Sequence, residues 1–160
     1  MKGKAQLKLI VCLGKDGLIG DANPVGNGLL WHSKEELTHY RETTRGHVTL
    51  FGKKTGAVVP VEIMRKTRDV IILDRDTDID KILRDNANNG KIVFVCGGLS
   101  IYEYFLKNYE MDELLISKLK PHVEILPVND PLYFPSVEDY GYKLFETVEC
   151  NDFIIEKYKK

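Results

Sequence analysis

Leu9 to Leu13 is the stretch that most limits what this chain can become. Within QLKLIVCL, Gln6 to Leu13, these residues are apolar without a break, and a strand with no polar face has to be covered on both sides. It is therefore expected at the centre of a sheet. Further short apolar runs follow in HVTLF (His47 to Phe51), DVIIL (Asp69 to Leu73) and KIVFVC (Lys91 to Cys96), and the segments between them read as helices. Ser33 with Glu36 three residues later has the spacing of a capping box, so a helix is predicted from Ser33 to about Thr44. Pro60 to Lys66 is weakly helical. A helix capped by Thr77 or Asp78 runs from about Ile79 to Asn88, and LSIYEYFL, Leu99 to Leu106, follows Gly97-Gly98. After the strand Glu113 to Lys118 the alternation stops. Leu132 to Phe134, Lys143 to Glu149 and Phe153 to Lys159 read as strands, the last two joined near Asn151-Asp152. The order predicts one α/β domain over residues 1–160, with a mainly parallel central sheet, helices on both faces and a C-terminal antiparallel hairpin.

Charge narrows the partners. Lys and Arg number 23 against 24 for Asp and Glu, a net charge of -1, so there is no bulk basic field to recruit nucleic acid or an anionic membrane. Cys12, Cys96 and Cys150 lie far apart without CxxC spacing, two of them inside apolar runs. They are expected as buried thiols in a reducing cytoplasm, neither bridged nor holding a metal. No run reaches the ~18 apolar residues of a membrane helix, and the first apolar run is too short for a secretion signal.

In open parallel sheets, ligands bind beyond the carboxyl ends of the strands. Several unusual stretches converge there. GKDGLIGDANPVGNG, Gly14 to Gly28, is a long loop in which Leu18 and Ile19 are expected to pack down. Gly97-Gly98 stands between a buried strand and a helix, where it either admits a ligand close to the backbone or is a plain turn needing positive φ. Lys53-Lys54-Thr55 reads as a phosphate contact or a solvated turn, and Asp74-Arg75 ends the strand DVIIL. Neither GxGxxG nor GxxxxGK[ST] is present. Glu36 falls on the same helical side as Leu37, Tyr40 and Thr44, which desolvates its carboxylate and raises its pKa; the plainer reading is that the capping box with Ser33 consumes it. His32 and His39 lack metal-ligand spacing and are expected at the surface or behind the site.

Taken together, LIVCLGKDGLIG, the tryptophan of LLWHS, EELTHYRETT, VTLFGKKT, VFVCGGLSIYEYFL, LLISKLKP and a later YFP resemble dihydrofolate reductases in the same order along nearly the whole chain. The resemblance implies hydride transfer from NADPH to 7,8-dihydrofolate, giving tetrahydrofolate for one-carbon and thymidylate metabolism, by a cytoplasmic monomer that also binds antifolate-type small molecules. It makes Glu36 the acid of the pterin pocket, with Trp31 and Ser117 as its catalytic companions. It gives the substrate Ile10, Val11, Cys12, Leu37, Tyr40, Val59, Ile63, Arg68 and Cys96.

For the cofactor the resemblance implies Cys12, Ile19, Gly20 and Leu29, then Gly52, Lys53, Lys54 and Thr55. Leu73, Asp74 and Arg75 follow, and last Cys96, Gly97, Gly98, Leu99, Ser100, Ile101 and Tyr102. Trp31 and the loop before it would form a cover. The chain departs from the family in a longer loop before Trp31 and at three residues: Leu30 stands where proline is usual, Ser100 where a basic residue is frequent, and Asp74 where Ser or Thr is common, facing the expected 2′-phosphate. The basic partner of the folate carboxylate is Arg68, with Lys66 and Arg65 as alternatives. A related pteridine or pyrimidine reductase and a non-catalytic nucleotide-binding relative are the competing readings. Glu36 inside the helix and Trp31 before it disfavour the first.

Overall fold

A computed structural model describes residues 3–24 and 29–160. The part of the Gly14 to Gly28 loop from residue 25 to residue 28 lies outside the described residues. Strand β1, Leu7–Leu13, has Leu9 fully buried and Leu7, Ile10, Val11 and Leu13 nearly so. As its composition requires, it lies inside a seven-stranded sheet.

The other strands of that sheet are β3 (Val48–Phe51), β4 (Asp69–Ile72), β5 (Val93–Val95), β6 (Glu113–Leu119), β8 (Lys143–Glu149) and β9 (Phe153–Lys159), in the order β4-β3-β5-β1-β6-β9-β8. The five strands from β4 to β6 run parallel, with β1 flanked by β5 and β6. β9 pairs antiparallel with β6 and with β8, which completes the edge hairpin. Two short strands stand apart: β2, Leu18–Asp21, pairs antiparallel with β7, Pro131–Tyr133. So the middle of the glycine-rich loop is a strand, held by a segment more than a hundred residues away.

Helix α1, Lys34–Thr44, follows β2. Short turns α2 (Lys53–Gly56) and α3 (Val61–Met64) follow β3, while α4 (Ile79–Asp85) and α5 (Leu99–Asn108) follow β4 and β5. The period of two along β1 sorts the core. Leu7, Leu9, Val11 and Leu13 pack with Leu83 of α4 and Tyr102, Phe105 and Leu106 of α5. Ile10 packs on the other face with Phe94 and Leu115, beneath Tyr40 of α1. Helices thus cover both faces, α1 lying over β1 on one side and α5 leaving β5 on the other. Between these neighbouring strands opens the crevice at which such sheets bind ligands.

Candidate active site

Helix α1 carries the acid into the crevice. Ser33, in an extended conformation, caps the helix by accepting from the Glu36 N–H at 3.1 Å. The capping box is only half made: the Glu36 carboxylate reaches the Cys12 thiol on β1 instead. Burial pushes the Glu36 carboxyl above the usual range, and the contact with Cys12 offsets part of that. The Cys12 thiol is pushed up by burial first and by the Glu36 charge second. It stays protonated, a donor toward the carboxylate.

The floor beneath Glu36 is set by register. Cys12 stands opposite Ser117 of β6, and Ser117 is almost fully buried. Trp31, half-buried, lies within hydrogen-bonding reach of Cys12, and its ring covers Gly14, where a Cβ would lie 3.2 Å from Cζ3. Tyr40 reaches Cys96 at the end of β5, whose thiol burial pushes up to about 12. From the other face, the Tyr102 hydroxyl donates to the Ile10 carbonyl at 2.8 Å. That bond fixes the backbone of β1 one turn of the pleat before Cys12.

The side walls are apolar and uncovered. Leu37 on α1 is 50% exposed, while Val58 and Ile63 on the α2–α3 segment reach 67% and 65%. The inner residues of these two elements meet in one cluster, where Tyr40 and Val59 both pack against Phe51, Met64 and Val70. Exposed apolar groups on facing elements mark a slot for a flat apolar ligand. At its outer end Arg68 is 9% exposed, with its guanidinium 5.8 Å from the Tyr40 ring centre and its Nε donating to Thr67 Oγ1 at 3.4 Å. Among the ion pairs of the described residues it has no carboxylate. Arg65, by contrast, is exposed and paired with Glu62 at 3.9 Å, and Lys66 is exposed.

The second half of the crevice lies between the ends of β3 and β5. The Gly52 N–H donates to the Gly97 carbonyl at 2.8 Å. Gly97 has φ +119, and a Cβ on Gly98 would lie 2.8 Å from Thr55 Oγ1. Only glycine fits both positions. This is more than a plain turn, because it brings α2, Ile101 and the start of α5 against one another. Lys53 and Lys54 are exposed beside it, and the Lys53 charge helps to hold Asp74 below the usual carboxylate range, after hydrogen bonds from Thr77 and Asp76.

The family model described as dihydrofolate reductase matches residues 6–158. This chain belongs to the dihydrofolate reductase family. A dihydrofolate reductase of Mycoplasma genitalium is 29% identical over 160 residues, covering 91% of this chain and 92% of that protein. One of Mycoplasma pneumoniae is 29% identical over 129 residues, 71% of this chain and 76% of its own. A solved dihydrofolate reductase from Enterococcus faecalis, complexed with NADP(H) and RAB-propyl, superposes with a TM-score of 0.71 at 17% identity, covering 99% of this chain and 98% of that one. At that identity the likeness is one of fold.

Against this family frame, the structure brings Glu36, Trp31, Ser117, Cys12, Ile10, Tyr40, Arg68 and Cys96 to one face of the sheet. It does not bring the side chains of Val11 or Leu73 there: both are buried in the core under α4 and α5, which leaves only their backbone to the crevice. Ile19 packs against that same core, and Gly20 lies in β2. Ser100 is exposed on the first turn of α5, and Leu29 is exposed ahead of Trp31.

Of the residues along this face, Cys12 was read from the sequence and Val58 was not. The Cys12 side chain was legible in the alternation of β1, which puts it on the same face as Ile10, and Val58 was hidden because nothing local separates it from Val59. Of the two places expected for His39, the surface is not where it lies: its ring centre is 5.5 Å from that of Phe153 and its Nε2 is buried without a hydrogen-bond partner among the described residues. A separate cleft of about 590 Å³, lined by Ala5, Leu7, Leu83, Tyr109 and Asp112, opens at the start of the strands and touches none of these groups.

Proposed function

We propose that the chain reduces 7,8-dihydrofolate to 5,6,7,8-tetrahydrofolate with NADPH as hydride donor. The observation that carries this reading is the Glu36 carboxyl: desolvated, raised above the usual range, and set between apolar walls where a parallel sheet of this family opens. A flat heterocycle in the slot is gripped by its polar edge. The Glu36 carboxylate accepts from the pterin amino group and the neighbouring ring N–H as a bidentate pair, and this favours protonation of the ring nitrogen beside the carbon to be reduced. Cys12 and Ser117 keep the acid aimed, Trp31 limits water above it, and solvent supplies the proton.

Leu37, Tyr40, Val59 and Ile63 wall the benzoyl part, with Val58 beside them. Arg68, buried without a counter-ion among the described residues, takes the carboxylate of the glutamate tail. Gly52, Lys53, Lys54, Thr55 and the Gly97 to Tyr102 segment hold the dinucleotide, which supplies the hydride. The same slot admits antifolate-type molecules. In this reading the protein acts as a cytoplasmic monomer.

The test is NADPH oxidation in the presence of dihydrofolate. Glu36→Gln is expected to lose most turnover, at least about 100-fold, while NADPH binding is kept. Unchanged turnover at neutral pH would remove Glu36 from the mechanism, and a folded wild-type protein that oxidises neither NADPH nor NADH would overturn the reaction itself.

A further inference from the structure

The helix that holds Glu36 is fastened at its first turn from an unexpected direction, the turn between β8 and β9. The Ser33 hydroxyl has one proton, and it donates that proton to Asp152 Oδ2 at 2.6 Å. Its lone pairs are thereby left for the Glu36 N–H, which it accepts at 3.1 Å. In the reverse direction the Glu35 carboxylate accepts from the Asp152 N–H at 2.8 Å and the Asn151 N–H at 3.2 Å. The turn is itself held: Asp152 Oδ1 lies 3.0 Å from His122 Nε2, and its carbonyl accepts from the Lys120 N–H at 2.8 Å. One carboxylate from each side therefore satisfies the other side's donors.

We propose that Asp152, together with Glu35, is a positioning residue for Glu36, so that the β8–β9 turn belongs to the working parts of the substrate site. The proposal rests on Glu36 being the pocket acid. Free helix ends fray and turn on their caps. Here the cap residue stands three positions before the acid and two after Trp31, so loosening it lets Glu36 shift against Cys12 and Ser117. A carboxylate displaced by about 1 Å loses the alignment that a bidentate contact needs, a change that costs roughly ten- to a hundred-fold in rate. None of the clamp's hydrogen bonds among the described residues reaches the dinucleotide half of the crevice at Gly52 and Gly97, which is left as it was.

The experiment compares the full-length wild type with Asp152→Ala, Asp152→Asn and Glu36→Gln for kcat, KM, NADPH affinity by calorimetry and Tm. Asp152→Ala is expected to lower kcat/KM for dihydrofolate by about ten-fold or more, with NADPH affinity within about two-fold of wild type. Asp152→Asn is expected to recover most of the loss, because its amide oxygen still accepts from Ser33.

The proposal is overturned if Asp152→Ala keeps wild-type kcat/KM, if Asn and Ala lose equally, or if NADPH affinity falls in step, as for a merely structural role. If Asp152→Ala does not fold, Glu35→Gln serves: it keeps one amide contact and is expected to lose a few-fold by the same pattern, while no loss refutes the clamp. Glu36→Gln separates the two ideas. Full activity there defeats the reading of Glu36 beneath the proposal, whereas its inactivity beside a fully active Asp152→Ala defeats the positioning role alone.

Discussion

Arg68→Leu is expected to weaken dihydrofolate binding severely while leaving the fold as stable as before, or more so. In the free protein Arg68 is 9% exposed, with one long hydrogen bond to Thr67 and the face of Tyr40 at 5.8 Å. These contacts contribute about 1 kcal/mol each at most. Against them stands the burial of a charge without a counter-ion, which costs several kcal/mol even after relaxation. Leucine removes both sides of that balance, so stability is expected to fall by no more than about 1 kcal/mol, a Tm change of a few degrees in a domain of this size, or to rise.

Binding moves the other way. Losing a buried charge-assisted pair with the tail carboxylate costs about 2–5 kcal/mol, which raises KM or Kd roughly thirty- to several-thousand-fold. The assay measures KM for dihydrofolate and for a dihydropterin that lacks the glutamate tail, together with urea unfolding of the free protein. The tail-less substrate is expected to show no difference between variant and wild type. A large loss of stability with an unchanged KM for dihydrofolate would show that Arg68 is a structural residue and that the argument from its missing partner is wrong.

Asp74 and His39 give two further tests. Asp74 is exposed and held ionised by its turn, so it repels a second anion at the end of β4; Asp74→Ser is expected to lower the KM for NADPH roughly three- to ten-fold with little change for NADH, and equal effects on both cofactors would place Asp74 away from the 2′-phosphate. His39 has its pKa lowered by burial and then by Lys157. As pH falls below about 6.5 the unfolded chain takes up the proton first. The stability that the neutral ring contributes is therefore present above that pH and lost toward the lower folded value. His39→Leu is expected to flatten this acid-side loss in urea midpoints compared at about pH 8 and about pH 5.5, and an unchanged slope would clear His39 of it.

Strands with two buried faces were legible because their composition leaves no other place for them, and β8 and β9 match their predicted bounds to the residue. Of the β2–β7 ribbon, β7 was read one residue late, as Leu132 to Phe134, while β2 and the pairing were not. Its strands are short, and its register is held by the Asp21 carboxylate accepting from the N–H groups of Asn23, Asn129 and Asp130; no local pattern encodes pairing across that distance. At the site, spacing put Glu36 on the right side of its helix but left the capping box and the pocket as rivals. The structure divides the roles, giving the cap to Ser33 and the pocket to the carboxylate. Arg65, Lys66 and Arg68 look alike in sequence, and burial alone separates them. The clamp at Asp152 joins residues 117 and 119 positions apart, which no reading of the α1 segment could reach.

The central place of β1 also sets an order of assembly. It is synthesised before its ladder partners, which begin only at Val93 and Glu113. A ribosome adding about 5–20 residues per second therefore leaves LKLIVCL without a sheet for several seconds. Through that interval the strand that later carries Cys12 beneath Glu36 is an unbroken apolar run without its ladder, the kind of segment that aggregates. Polar replacements at Leu9 or Val11 would relieve that hazard only by emptying the middle of the sheet, so the nascent chain's risk and the finished enzyme's rigidity come from the same seven residues.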